Sequence, residues 1–513
     1  MLKEKINLKV ILISLIFALF SILTDNVFFD MNMIETDHYV KLKVIYIIIV
    51  MCIGQLICKM VKEIRRKNHV REAVRFSLIC AGILGFFLLL TYPGIWLWDN
   101  MEMINLASVM QLSGWHGFYM QCFFVFCLMA IPFPVGINIV QIIIISAVMG
   151  RIFYIISSIL HKRKLAYILV LFLLLPANLY WSLMAYRTAF FGFFFALTVL
   201  EFINFWQNKN INLLYSILLF GFTWNIRSEG YGLLVFIPLI AYKLYKCEMK
   251  KKGIAFLTYT VLMVVLVSVP VPSDRSYLAS AILNPLECMM KSDLNSDDLQ
   301  RDLERIDKVF NVETMQSAVA SPMAANVDGA AWYAEGFWDK VYCPKNEWVD
   351  MLKAYCNLVY FNPQLFFKFR MQTMYQSINS NKSTISEIDR LINSEEGIFE
   401  FDSYIGARPI SENVRQTVRK IIGFEYGGKM IYTVGSLLGS AIIPCLVLIV
   451  LLAYGVFCHR KELWLSGVCV LITIIIVFMT APAANSMYYF SLYNSMYLLL
   501  FMYMIKKIDK CTK

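Results

Sequence analysis

The feature that most constrains this chain is a repeated series of apolar runs, each near the length of a membrane-crossing helix, set between short polar segments. A hydrocarbon layer of roughly 30 Å needs about 20 helical residues. Helices are the expected spanning element, since each satisfies its own backbone donors and acceptors without water. Charged residues make up only 16% of the 513, against about 25% in a typical soluble chain, so lipid is the main solvent. The net charge of +11 does not describe a nucleic-acid binder, because the lysines and arginines fall in short clusters beside the apolar runs. Such placement encodes topology instead.

Basic clusters lie at Lys62–Lys67, His161–Lys164, Lys243–Lys252, His459–Lys461 and Lys506–Lys513. With every cluster on the cytoplasmic side, crossings are predicted near residues 7–24, 41–59, 73–92, 165–181, 188–206, 211–226, 230–245, 253–270, 431–457, 463–482 and 486–504, plus one net crossing within 118–158. That makes about twelve, with both termini cytoplasmic. The first run, Val10–Leu23, follows Lys3 and Lys5 without a small-residue cleavage site, so it reads as a retained helix. Phe118–Ile131 is too short to span comfortably and precedes Pro132 and Pro134, so it reads as re-entrant or interfacial. The loops at 25–40, 93–117, 181–187, 227–229 and 483–486 then face outward.

The predicted fold is an all-α polytopic membrane protein in three parts. Residues 1–270 form an N-terminal transmembrane module, 271–428 an extracytoplasmic and mostly helical insert, and 429–513 the C-terminal crossings. Within the insert, Ser296 is placed to cap a helix whose Leu299, Leu303, Ile306 and Phe310 share one face. An amphipathic run over Glu347–Tyr360 ends at Asn362-Pro363, before another helix. Most of the thirteen cysteines sit in apolar runs as small hydrophobes; Cys288, Cys343 and Cys356 lie in the insert, enough for one disulfide at most.

Polar groups at membrane depth are costly, so outward loops that gather charge among aromatics are the candidate chemistry. In Tyr92-Pro93-Gly94-Ile95-Trp96-Leu97-Trp98-Asp99-Asn100-Met101-Glu102, a helix starting near Asp99 sets its carboxylate and that of Glu102 on one side. Asp99 is then a general base or metal ligand, or else a plain helix cap between interface tryptophans. His116, in Trp115-His116-Gly117-Phe118-Tyr119, is a ligand-binding candidate or a packed interface residue. Tyr180 and Arg187 stand at the outward ends of two crossings, where an arginine suits phosphate or snorkels to headgroups. Arg227 and Glu229, in the turn Asn225-Ile226-Arg227-Ser228-Glu229-Gly230, bind an anionic headgroup or pair with each other.

Together these residues resemble the C-type (GT-C) glycosyltransferases, multi-span enzymes that use lipid-phosphate-linked sugars on the outer side of the membrane. The likeness is strongest to bacterial membrane proteins with a Tyr-Pro-Gly motif, an aspartate, a histidine and an Arg-x-Glu-Gly turn. Here those are Tyr92-Pro93-Gly94, Asp99, His116 and Arg227-Ser228-Glu229-Gly230. The first two apolar runs are an addition to the simplest layout of that superfamily, and a second acidic pair is not evident. The resemblance implies a GT-C-like fold and an inverting transferase for cell-envelope glycans, with a polyprenyl-phosphate sugar as donor and an envelope glycan, lipid or protein as acceptor. It also implies Asp99 as base, or as ligand to a divalent ion such as Mg or Mn, with the donor phosphate near Arg187 or Arg227. The rivals are a lipid-linked oligosaccharide flippase or other transporter, and a non-catalytic envelope-assembly protein. Transporters usually set charge or helix breaks at mid-membrane and often show two related halves, whereas this chain keeps its charge at the ends of its apolar runs.

Overall fold

The computed structural model describes residues 7–511 apart from 97, 113–116, 209–212, 247–248, 269–274, 291, 320–335, 380–405, 407 and 423–427. Among the described residues every regular element is helical, and one isolated bridge joins Ile95 to Met184. Helices α1 (Leu8–Phe20), α2 (Thr36–Arg66) and α3 (Asn68–Leu90) precede the short α4 (Trp98–Ser108) and α5 (Phe118–Ala130) and the long α6 (Pro134–Ser158). Next come α7 (Leu169–Leu173), α8 (Pro176–Ser182), α9 (Arg187–Asn208), α10 (Leu213–Ile226), α11 (Phe236–Lys246) and α12 (Lys250–Ser268). The insert holds α13 (Arg275–Met289), α14 (Leu299–Asp307), α15 (Val312–Val319), α16 (Lys345–Phe361), α17 (Pro363–Asn379) and α18 (Glu412–Ile422). It is followed by α19 (Gly428–Gly439), α20 (Ile442–Phe457), α21 (Lys461–Thr480) and α22 (Phe490–Cys511). Pro134, Pro176 and Pro363 each open a helix, where the missing N–H has no intrahelical acceptor to lose.

Among the described residues, six helices are long and apolar enough to cross a membrane: the first three, α6, α9 and α21. The number rises to eight if two bent units each count as one span, Arg163–Leu173 with Pro176–Ser182 (73°) and Thr433–Gly439 with Ile442–Phe457 (54°). The other crossings expected from the sequence fall on α10, α11, α12 and α22, outside that set.

The polar segments sort to two ends of the bundle. At one end, the Asp509 carboxylate accepts from the backbone N–H groups of His161 and Lys162, and His69 packs on the Tyr154 ring. There too, Lys243 lies over the Trp206 ring and Gln207 donates to Glu462. At the other end, Asp30 N–H donates to Ser108 O and His38 Nε2 meets Met110 O. Both ends of α5 belong to this second end, since Gly117 approaches Arg187 at its start while Phe133, just past its finish, approaches Gly406.

The insert has its own core, in which Leu286, Ile306, Phe310, Trp348, Met351 and Leu358 are buried together. One expectation needs correction here. The helix at Leu299 is capped by Asp298, whose side chain accepts from Arg301 N–H at 3.1 Å, and not by Ser296. The Ser296 hydroxyl bonds to the Asp302 carboxylate and the Asn357 amide instead, so it serves the tertiary core. No disulfide joins Cys288, Cys343 and Cys356 to one another.

A buried ion pair fastens the first two helices. Lys43 donates to Asp25 at 2.6 Å and to Ser21 at 2.8 Å, and Tyr39 donates to Asp25 at 2.7 Å. Removing one partner strands the other charge in a low-dielectric site, which typically costs about 3–5 kcal/mol, whereas replacing both with apolar groups is close to neutral. Lys43→Met is therefore expected to lower unfolding stability in a denaturing-detergent titration by about 3–5 kcal/mol, and adding Asp25→Leu to recover most of it. Equal losses in the single and double variants would show that the pair's packing, not its charge balance, holds α1 to α2.

Candidate functional site

The site is built on two irregular segments between helices, residues 91–96 and 183–186. They bond to each other where Ile95 N–H donates to Leu183 O at 3.0 Å. Helix α6 satisfies much of the rest with side-chain amides. Asn138 Nδ2 donates to Pro93 O at 2.9 Å, and Gln141 Nε2 donates to Ser182 O at 3.1 Å and Met184 O at 2.6 Å. Asn100 donates to Ala185 O, and Gln121 of α5 donates to Met103 O at 2.8 Å. All four amide side chains are fully buried.

Gly94 is required at its position. Its φ is +121°, and a Cβ there would stand 2.5 Å from Asn138 Nδ2 and 2.9 Å from Leu183 O. The Tyr-Pro-Gly motif thus forms the bend that delivers Asp99 to the neighbouring loop.

Asp99 lies in the first turn of α4, half-buried, and its Oδ2 accepts from the Tyr186 hydroxyl at 2.7 Å. Tyr186 is 2% exposed. Burial pushes its phenol above the usual range and the Asp99 charge adds to this, while Arg187 and Arg227 pull the other way. The phenol therefore stays protonated and acts as a fixed donor to the carboxylate.

Arg187 opens α9 with its guanidinium 5.8 Å from the Tyr186 ring centre and close to Gly117. Arg227 and Glu229 are both buried and form the pair that the sequence left open. Nε is 3.1 Å from each carboxylate oxygen and Nη2 is 2.7 Å from Oε1. Nη1 donates to Thr188 Oγ1 at 2.6 Å, and the Tyr488 ring lies under the guanidinium at 5.4 Å. Burial alone would raise the Glu229 carboxyl, but the Arg227 charge, its hydrogen bonds and the Arg187 charge together hold it below the usual range.

Four sequence candidates thus meet: Asp99, Arg187, Arg227 and Glu229. Glu102 follows one turn after Asp99 on α4, half-buried. Tyr180 is buried on α8 and packs edge-on against Trp181. His116 lies outside the described residues. Sequence reasoning missed Tyr186, Thr188, Tyr488 and the scaffold amides. The polar triplet Tyr186-Arg187-Thr188 between two apolar runs was a usable signal for the first two, but nothing local points to Tyr488.

The fit to a divalent ion is poor. Among the described residues no group of three or more His, Cys, Asp or Glu side chains stands close enough to hold a metal. One Asp99 oxygen already accepts from Tyr186, and the other charges acting on that phenol are the Arg187 and Arg227 guanidinium groups.

The insert closes over the first segment. Tyr92 donates to Gly406 O at 2.8 Å, and the half of α18 facing the bundle sends Arg415 to Gly94 O at 3.4 Å. A Gly94→Ala variant is expected to displace residues 92–99, because both its φ and its contacts exclude a methyl group. The check is protection of the full-length protein from limited trypsin cleavage after Arg415, which is buried against Gly94 and should become cleavable in the variant as the insert lifts from that segment. Unchanged protection would show that the bend tolerates a side chain. Compared with known proteins, the chain matches no family model, no curated protein and no solved structure.

Proposed function

We propose that this chain is a membrane glycosyltransferase that takes a polyprenyl-phosphate-linked sugar on the extracytoplasmic face and transfers it to an envelope glycan, lipid or protein. The observation that carries this is the Tyr186–Asp99 hydrogen bond with two arginines in the same field. It joins a group able to take a proton to fixed positive charge, the two requirements for displacing a phosphate from an anomeric carbon.

In the proposed reaction the acceptor hydroxyl gives its proton to Asp99 as its oxygen bonds to the anomeric carbon. The bond from that carbon to the phosphate oxygen breaks, the electron pair leaves with the phosphate, and the configuration inverts. All three Arg227 nitrogens bond to Glu229 or Thr188, and in this proposal Arg187 holds the phosphate with Arg227 as a fixed charge behind it. Tyr186 holds the Asp99 carboxylate toward the acceptor.

The twelve-crossing arrangement with cytoplasmic termini belongs to this proposal. It is supported by the gathering of basic segments 161–164, 243–246 and 506–510 at the end opposite Asp99. The carrier alternative gains from the two bent helix pairs, since carriers often break helices around a mid-membrane site. The breaks here, at Leu174-Leu175 and Ser440-Ala441, carry no ionisable residue, and the charges lie with Asp99 instead.

Asp99→Asn removes proton acceptance and keeps the shape. It is expected to accumulate normally in membranes yet lose at least about a hundredfold in transfer rate with a polyprenyl-phosphate sugar donor. Glu102→Gln should lose less, and Arg187→Lys should raise the donor KM more than it lowers kcat, because a lysine cannot make a bidentate phosphate contact. Wild-type transfer by Asp99→Asn would place the base elsewhere.

A further inference from the structure

Helix α17, in the insert, lies across the ends of two membrane helices. At Arg370 it meets α21. The guanidinium, 1% exposed, donates to Ala481 O at 2.9 Å and Val477 O at 3.4 Å, with Phe478 O and Asn284 Oδ1 as further acceptors. Three of these acceptors are carbonyls at the C-terminus of α21, where a cation is favoured. Eight residues later the Ile378 carbonyl accepts from Ala441 N–H at the start of α20. Eight helical residues cover about 12 Å. That is near the roughly 8–10 Å between neighbouring packed helices, so α17 runs across the two ends and not along them.

Its height follows from α21. From Lys461 to Val477–Ala481 is about 24–30 Å of helix, close to the roughly 30 Å hydrocarbon thickness. Helix α17 therefore sits at the outer hydrocarbon boundary.

The solvent-accessible side of α17 is two parallel rows. One is apolar: Phe367, Met371 and Tyr375 are 54%, 56% and 71% exposed. The other is polar: Gln364, Lys368, Gln372 and Gln376 are exposed one position further round the helix. The apolar row continues the membrane-facing stripe of α21, in which Leu471, Ile475 and Met479 are exposed. The join is the stack of Phe367 on Phe478, with ring centres 6.3 Å apart.

We infer that α17 is an interfacial membrane helix: Phe367, Met371 and Tyr375 insert into the outer leaflet, and the glutamine–lysine row faces headgroups and water. The occupant of the apolar row is phospholipid, because the row is continuous with a surface already facing lipid and is bordered by polar side chains on one side only. The insert is then anchored to the bilayer as well as to the bundle. This holds whether or not the chain is a transferase.

The test is a spin-label scan in phosphatidylcholine–phosphatidylglycerol nanodiscs. Exposed Cys52, Cys356, Cys458 and Cys511 are replaced by serine in the full chain, and single cysteines are introduced at 364, 367, 368, 371, 372, 375 and 376. Oxygen collisions are expected to exceed those of a water-soluble nickel chelate at 367, 371 and 375, with the order reversed at the other four positions. Chelate access at all seven would put α17 in water, and exclusion of both reagents from 367, 371 and 375 would mean that protein, such as a second copy, covers the row. Either result overturns the inference. Because all seven side chains are exposed, the labels leave the core packing intact, which gel filtration of each labelled protein verifies.

Discussion

Two side-chain amides on one helix, Asn138 and Gln141, decide where the rest of the Asp99 end of the bundle can be. In a bundle surrounded by lipid, backbone that leaves the helix must still have its carbonyls and amides bonded, and the segments around Pro93 and Met184 have few helical partners of their own. The α6 amides supply those bonds from inside the core. Because they sit one turn apart on a rigid helix, they fix the two segments relative to each other, and Tyr186 arrives beside Asp99 as a consequence. The Tyr186–Asp99 pair is thus held by elements outside the candidate site.

The same low dielectric governs the charges. Each deeply buried ion described above has a matched partner at hydrogen-bond distance: Lys43 with Asp25, Arg227 with Glu229, and Arg370 with the terminal carbonyls of α21. Such pairs add little net stability but make departure from their geometry expensive, because an orphaned charge has nowhere to be solvated. Their positions therefore mark joints of the structure. One fastens the added first helices, one stiffens the turn after α10, and one clamps the insert to the membrane bundle.

The insert is coupled to the site from two directions. Arg415 and the Gly406 carbonyl hold the segment that begins the Asp99 loop, while Arg370 holds the end of α21, just ahead of the segment that carries Tyr488 to Arg227. A movement of the insert would thus reach both walls of the site through direct bonds. The segments it touches, 92–94 and 477–481, lie far apart in sequence and share the Asp99 end of the bundle.

The helical class, and the charged loop residues Asp99, Arg187, Arg227 and Glu229 that meet at one end of the bundle, were legible because they follow from local rules. Apolar length and the absence of water enforce helices, basic clusters mark ends, and a charge between apolar runs is costly enough to be informative. The bend at Gly94 was legible as a motif, though its reason, the Asn138 amide and the Leu183 carbonyl pressing where a side chain would be, was not. The partners of each charge were beyond the sequence. Arg227 was near Glu229 in number, but its contacts with Thr188 and Tyr488, and the meeting of Tyr186 with Asp99, join residues dozens to hundreds of positions apart. Hydropathy also left α17 as one more helix of a water-facing insert, because the ordering of its exposed rows matters only once α20 and α21 define a membrane surface beside it. Sequence determined which segments belong in lipid and which charges had to be answered; tertiary structure decided what answers them, since long-range contacts depend on how rigid helices pack and not on any local pattern.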